Sequence, residues 1–389
     1  MLKCITLLLP LLLAVLATTV HSVNGKFHDR KIFASKYASK TKSIQLGQLE
    51  KIRKTIREEA IHNLRSLPSD VRSELVKAAE VAFTSEKYPV KTAVGYLEYA
   101  RNGNRANYEG KVTAHQRRIN ALVVGNLLDH AGNHSSNKYV DEIVNGVWSL
   151  MEESTWCWPA HLSGLQGTGD HLATPGHLAI DLGAGEIAKF VGWVKLLMAE
   201  KFDHVSTVIN RRIDHELRQR IFEGYLKTNY WWEGMLGAHS VNNWNIWVNG
   251  NILKSALMTL NDLTLFDAVL NKTLYSADYF LDGYGEDGGC DEGPAYWRQA
   301  GGRLVEYLES LEHLFPGAKE YFDGVKLLKL IGEYSYKMHI KDNWFVNFAD
   351  SIPMLTYPPS LIAMYGKMFN GRSLFTFFKS LDFCFVMFR

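Results

Sequence analysis

Apolar residues recur at three- and four-residue steps through most of this chain, and that spacing confines it to packed helices. Ile187, Phe190, Val191, Val194 and Met198 gather on one helical face. Val71, Leu75 and Ala79 step by four, and so do Ile209, Ile213, Leu217, Ile221 and Tyr225. Ile252, Ala256 and Leu260, then Leu304, Leu308, Leu311 and Phe315, repeat the pattern with threes and fours. No alternating strand pattern emerges before about residue 340. The expected fold is therefore all-α. A succession of helix pairs without a repeat of fixed period predicts a toroid rather than an armadillo-like array.

Gly-, Asn- and Asp-rich loops separate the helical stretches at Ser163 to Gly176, Gly234 to Asn245 and Asp282 to Pro294. Such loops are where function concentrates on a helical scaffold. At 47% apolar and 22% charged residues the chain is a folded one, and a net charge of +2 excludes the strong basic field of a nucleic-acid binder. An anionic substrate must then be held by local groups.

The amino terminus predicts export. Lys3 precedes an apolar run from Ile5 to Leu16 that is too short to span a bilayer, and Val20-His21-Ser22 offers small residues for cleavage. Residues 1–25 read as a signal peptide, 26–345 as the helical domain and 346–389 as an irregular or truncated segment. No membrane span is expected. Asn133-His134-Ser135 and Asn271-Lys272-Thr273 are glycosylation sequons, consistent with a secreted glycoprotein. With Cys4 in the leader, Cys157, Cys290 and Cys384 allow at most one disulfide.

Three stretches collect unusual residues: Trp156 to His161, His239 to Asn245, and Glu292 to Trp297. Asn242, Asn243, Asn245, Asn249 and Asn251 are costly in a helix interior, and as a set they predict a lined cleft, although a helix N-cap would account for one of them. Indoles stack on sugar faces and also fill cores, so Trp156, Trp158, Trp231, Trp232, Trp244, Trp247 and Trp297 divide between the two roles. Tyr296 follows the Gly-rich turn Asp287 to Pro294 and precedes a helix, near whose positive end a phenolate would form more easily. His161, His171 and His177 are spaced unlike any compact metal motif, so neither metal nor cofactor is expected.

Asn242-Asn243-Trp244-Asn245, followed by Asp287-Gly288-Gly289-Cys290-Asp291-Glu292-Gly293-Pro294-Ala295-Tyr296-Trp297, resembles the heparinase II/III family. Trp156 to His161 and Asp181-Leu182 before a helix fit it too, and the resemblance covers roughly residues 50 to 350. It implies an incomplete (α/α) toroid whose partner β-sandwich domain is missing here. It also implies a polysaccharide lyase, or a uronyl C5-epimerase, acting on an acidic polysaccharide. Asn242 or Asn243 would face the substrate carboxylate and Tyr296 would move the proton. Neither Asn precedes a His, a departure from the family pattern that leaves His239 as a substitute base. Trp244, Trp297, Trp158, His161 and Glu292 would line the substrate path. Removal of a proton alpha to a carboxylate needs that carboxylate's charge neutralised, and amide donors do so without acting as bases.

Two rivals use the same residues differently. A helical-toroid glycoside hydrolase would draw paired carboxylates from Asp287, Asp291, Glu292 and Glu233. A non-catalytic rival is a secreted glycan-binding or structural protein that keeps the toroid and has lost the second domain. Amino-terminal sequencing of exported protein is expected to begin near Val23; a chain still starting at Met1 would show that the leader is not cleaved.

Overall fold

The computed structural model describes residues 30–85, 87–129, 138–162, 171–174, 179–236 and 241–369. The chain is predominantly helical, with one small antiparallel hairpin, His339–Lys341 with Trp344–Phe345. The principal helices are α1 (Leu46–Arg65), α2 (Ser69–Thr84), α3 (Ala106–Leu128), α4 (Val140–Met151), α5 (Leu182–Val205), α6 (Thr207–Leu217), α7 (Asn243–Thr259), α8 (Leu263–Asp282), α9 (Gly301–Leu314), α10 (Lys326–Lys337) and α11 (Pro359–Met368). No helix among the described residues is long and apolar enough to cross a membrane. The proposed leader lies outside the described residues.

Four of these helices run in the same direction. Ser255 donates to the Ala188 carbonyl at 3.0 Å, Arg303 reaches Glu186 at 2.8 Å and Lys254 reaches Glu309 at 2.9 Å, so residue numbers rise together along α5, α7 and α9. α3 runs the same way, with Arg105 near His161 at its start and Leu127 beside Met198 at its end. α2 and α4 flank α3 antiparallel, while α6 and α8 return antiparallel to α5 and α7. Every loop that enters one of the four parallel helices therefore emerges at one end of the molecule.

α1 crosses the opposite end. Gln48 donates to the Leu314 carbonyl at 2.9 Å, Arg53 to Leu257 at 2.7 Å, and Arg65 to Leu127 at 3.4 Å, while Arg57 lies 3.5 Å from Glu200. These are the last turns of α9, α7, α3 and α5. From Gln48 to Arg65 the helix rises about 25 Å at 1.5 Å per residue. That spans three gaps between helices packed roughly 8–10 Å apart. Cations on α1 thus meet the negative ends of the aligned helices.

The stripe from Ile209 to Tyr225 is buried along its length, but a step of four overshoots a 3.6-residue turn. The structure absorbs the excess with one π-helical turn at Arg218–Phe222, after which α-helix resumes at Glu223–Lys227.

α7 is enclosed by α5, α8 and α9, and nearly all its residues are buried. This corrects the reading of its asparagines as a cleft lining. Asn245 and Asn249 have 0% exposure. Asn245 Nδ2 donates to the Glu233 carbonyl at 3.1 Å and to Ser276 Oγ at 3.1 Å, Asn249 Nδ2 donates to Asn245 Oδ1 at 3.0 Å, and Tyr225 OH donates to Asn249 Oδ1 at 2.6 Å. A core helix that carries amides must partner them internally, and Asn245 and Asn249 find their partners across α7, α8, Tyr225 and the Trp231–Glu233 turn. The helix also begins at Asn243, so the expected loop stops at Asn242.

The sequon at Asn271 is unsuited to glycosylation in the folded chain. It lies within α8, where Asn271 Nδ2 donates to Thr41 Oγ1 at 2.6 Å and Thr273 is fully buried. The other sequon lies outside the described residues.

Asn245→Ala removes donors from three buried acceptors and should cost roughly 3 kcal/mol. A urea midpoint within error of the parent would show that the network is not a stabilising unit.

Candidate active site

Asp181 and Asn242 begin α5 and α7 as N-caps. Asp181 Oδ1 accepts from Ala184 N at 2.8 Å, and Asn242 Oδ1 accepts from Trp244 N at 3.0 Å. Asn242 is exposed and its oxygen is committed to the cap, so the adjacent Asn243 is the amide turned toward the second motif. Asn243, 6% exposed, donates through Nδ2 to Glu292 Oε1 at 2.5 Å. That bond joins two sequence motifs separated by 49 residues.

Glu292 is half-buried, and its carboxyl is held above the ordinary carboxylate range by burial and by the nearby charges of Asp350 and Asp291, opposed by the Asn243 bond. Of the other carboxylates available to a hydrolase, Asp287 accepts from Gly289 N at 3.0 Å within its own turn, and Asp291 is exposed. Glu233 is fully enclosed, with Oε1 3.0 Å from Lys272 Nζ. Burial pushes Glu233 up to about 7 against the opposing pull of Lys272, whose own ammonium burial draws down.

Tyr296 sits in the 3-10 turn Pro294–Gln299, one turn before α9. The expected position at a helix start is therefore displaced: the tyrosine precedes the α-helix and lies on the turn feeding it. Gly293 makes this turn possible. Its φ is +89°, and a Cβ there would lie 2.6 Å from the Phe348 carbonyl oxygen. Ala295 N donates to Ser351 Oγ at 3.0 Å and Tyr357 OH to the Pro294 carbonyl at 2.8 Å, so residues 348 to 357 buttress the Tyr296 turn. Phe345, Tyr357 and Tyr365 share the core with Trp297, which draws the segment after 345 into the helical body.

Trp297 corrects one expectation. Its ring has 0% exposure and its Nε1 donates to the Ile331 carbonyl at 2.7 Å, so it fills the core and presents no face to a sugar. Trp156 and Trp232 are likewise buried, with their indole nitrogens bonded to the Leu150 and Ile180 carbonyls. Trp158 is only partly buried and lies across the start of α5, where a Cβ at Gly183 would come within 2.3 Å of its ring. Trp244, 9% exposed, stands 4.5 Å from His161 and 5.2 Å from Trp231 between ring centroids.

His161 is brought to this end of the molecule by Asp181. Its Nδ1 lies 2.6 Å from Asp181 Oδ2, which also accepts from Trp158 N at 3.0 Å. On the other side of the ring, Arg105 Nη2 stands 3.5 Å from Nε2, with its guanidinium 5.9 Å over Trp158. His239 lies outside the described residues, as does His177. Among the described residues no group of three or more His, Cys, Asp or Glu could hold a metal ion.

Arg105 carries no local sequence signal, because its neighbours become apparent only when α3 packs beside the Trp156–His161 segment. Asp181 could be recognised as a cap from an acid placed before an apolar helical run. Its bond to His161, across 20 residues, could not.

No family model matches the chain, and no curated protein matches it.

Glu233 gives a pH-dependent check on the core below this site. Its folded carboxyl is raised, so the stability it contributes is present below the ordinary carboxylate range and is lost as pH rises through about 7. Between pH 5 and 8 the urea midpoint of Glu233→Gln is expected to fall less than that of the parent. Parallel profiles for the two proteins would contradict the assignment.

Proposed function

We propose that the chain is a polysaccharide lyase-like protein that acts on a uronic acid in an acidic polysaccharide by C5 proton abstraction and β-elimination. The Asn243–Glu292 bond carries this reading. It sets an amide, a carboxyl of raised proton affinity and the Tyr296 turn at one end of the helix array. The parallel helix pairs are read as the arc of an (α/α) toroid, and export through the leader belongs to the same proposal.

Each group has a task in that chemistry. α5 and α7 start on the side of the site and present the positive ends of their dipoles there, which favours an anionic sugar over a neutral one. Asn243 Nδ2 is a hydrogen-bond donor for the uronate carboxylate, and it lowers the cost of the aci-carboxylate formed when C5 loses its proton. Trp158 and Trp244 offer apolar ring surface to pyranose faces. Tyr296 takes part in the proton transfer that accompanies elimination. Elimination leaves a conjugated uronate with new ultraviolet absorbance, whereas hydrolysis leaves none.

Incubation with heparan sulfate, chondroitin sulfate and alginate is expected to raise that absorbance on at least one polymer. Tyr296→Phe should lower turnover by at least about 100-fold while leaving the melting temperature nearly unchanged. Asn243→Ala should raise KM and lower kcat together. Cleavage without ultraviolet absorbance would establish a hydrolase, and exchange of C5 hydrogen with solvent without cleavage an epimerase. Polymer binding with neither would leave only a glycan-binding protein.

A further inference from the structure

The His161–Asp181 pair is built more elaborately than a loop anchor requires. Capping α5 uses Asp181 Oδ1 alone, yet Oδ2 accepts from both Trp158 N and His161 while the carboxylate has 0% exposure. Both Asp181 oxygens already accept from backbone N–H groups, which places the hydrogen of the 2.6 Å bond on His161 Nδ1. With Nδ1 the donor and an Arg105 nitrogen, which can only donate, standing opposite, Nε2 is the acceptor nitrogen of the ring. That nitrogen faces the guanidinium of Arg105, an exposed residue whose Nε also bonds Glu109 at 2.7 Å. Trp158 and Trp244 lie against the ring at 5.6 and 4.5 Å, and Trp244 directly follows the amide assigned to the uronate carboxylate.

Resting on the uronate reading above, we propose that His161 Nε2 is the base that takes the C5 proton, that Asp181 is its positioning residue, and that Tyr296 protonates the departing oxygen. The C5–H bond breaks and its proton joins Nε2. The electron pair forms the C4–C5 double bond as the C4–O4 bond breaks, and O4 leaves with the hydroxyl proton of Tyr296. The resulting imidazolium and phenolate exchange one proton through water, which restores both. Tyr296 needs no preformed phenolate in this scheme, in keeping with its position ahead of α9 rather than at its first turn.

Turnover is measured on heparan sulfate, chondroitin sulfate and alginate for the parent, His161→Ala and Asp181→Asn. His161→Ala is expected to lower kcat by about 100- to 10,000-fold with KM within about twofold, and imidazole added to the buffer should restore part of the loss. Asp181→Asn keeps a capping oxygen for α5 but places an amide against Nδ1, which favours the tautomer with hydrogen on Nε2. Its kcat should fall without loss of the folding transition, and this variant decides the matter if His161→Ala does not fold. Near-parental kcat in either folded variant overturns the proposal, and so does a folded, inactive His161→Ala that imidazole fails to rescue. A parent inactive on all three polymers removes the uronate reading itself, whereas an active parent with an active His161→Ala removes only this assignment.

Discussion

The common direction of α3, α5, α7 and α9 is the constraint from which the rest of the molecule follows. Aligned peptide dipoles place about half a positive charge at each helix start and half a negative charge at each helix end. One end of the array is therefore suited to anions and the other needs cations. α1 supplies them, with Arg53, Arg57 and Arg65 spaced to meet successive helix ends and Gln48 donating to the fourth. Near-neutral overall charge is compatible with an acidic ligand in such a protein, because the field is made by backbone orientation and not by a surplus of lysine and arginine.

The packing also determines which helix is enclosed on every side. α7 lies between α5 and α9 with α8 behind it, so no side of it faces water along most of its length. An apolar helix would satisfy that position for packing alone. The Asn245–Asn249–Ser276–Tyr225 network adds direction to the contact, since the bonds of Asn245 and Asn249 to Ser276 exist at one register of α7 against α8, and that of Tyr225 ties α7 to the Glu223–Lys227 helix. Asn243 at the mouth is held to that register by the same helix, which ties the geometry of the site to the core beneath it.

The helices were legible because their stripes are regular: Ile187, Val191, Val194 and Met198 on α5 and Leu304, Leu308 and Leu311 on α9 are buried as the spacing requires, with Phe190 partly buried beside them. The five asparagines were harder, since periodicity does not separate an amide facing a cleft from one bonded inside a core. Their fates differ within two helical turns: Asn242 caps, Asn243 reaches Glu292, and Asn245 and Asn249 are sealed. Trp297 adjoins Tyr296 in the most distinctive motif, yet its neighbour is Ile331 on α10, a contact made only by the fold. The pairing of Asp181 with His161, and the approach of Arg105, depend likewise on where α3 and α5 come together.

The loops entering the aligned helices thus share one end with the positive dipoles, two indoles of partial or slight exposure, an amide, a carboxyl of raised proton affinity, a tyrosine and a carboxylate-held histidine. Under the proposed function this end, and not the cationic floor made by α1, receives the acidic sugar. A crystal structure of the Tyr296→Phe variant with a uronic-acid tetrasaccharide tests it most directly. A uronate carboxylate is expected within hydrogen-bonding distance of the Asn243 side chain, with a sugar ring against Trp158 or Trp244. Density for the oligosaccharide confined to the α1 side of the molecule, with the loop end unoccupied, would contradict it.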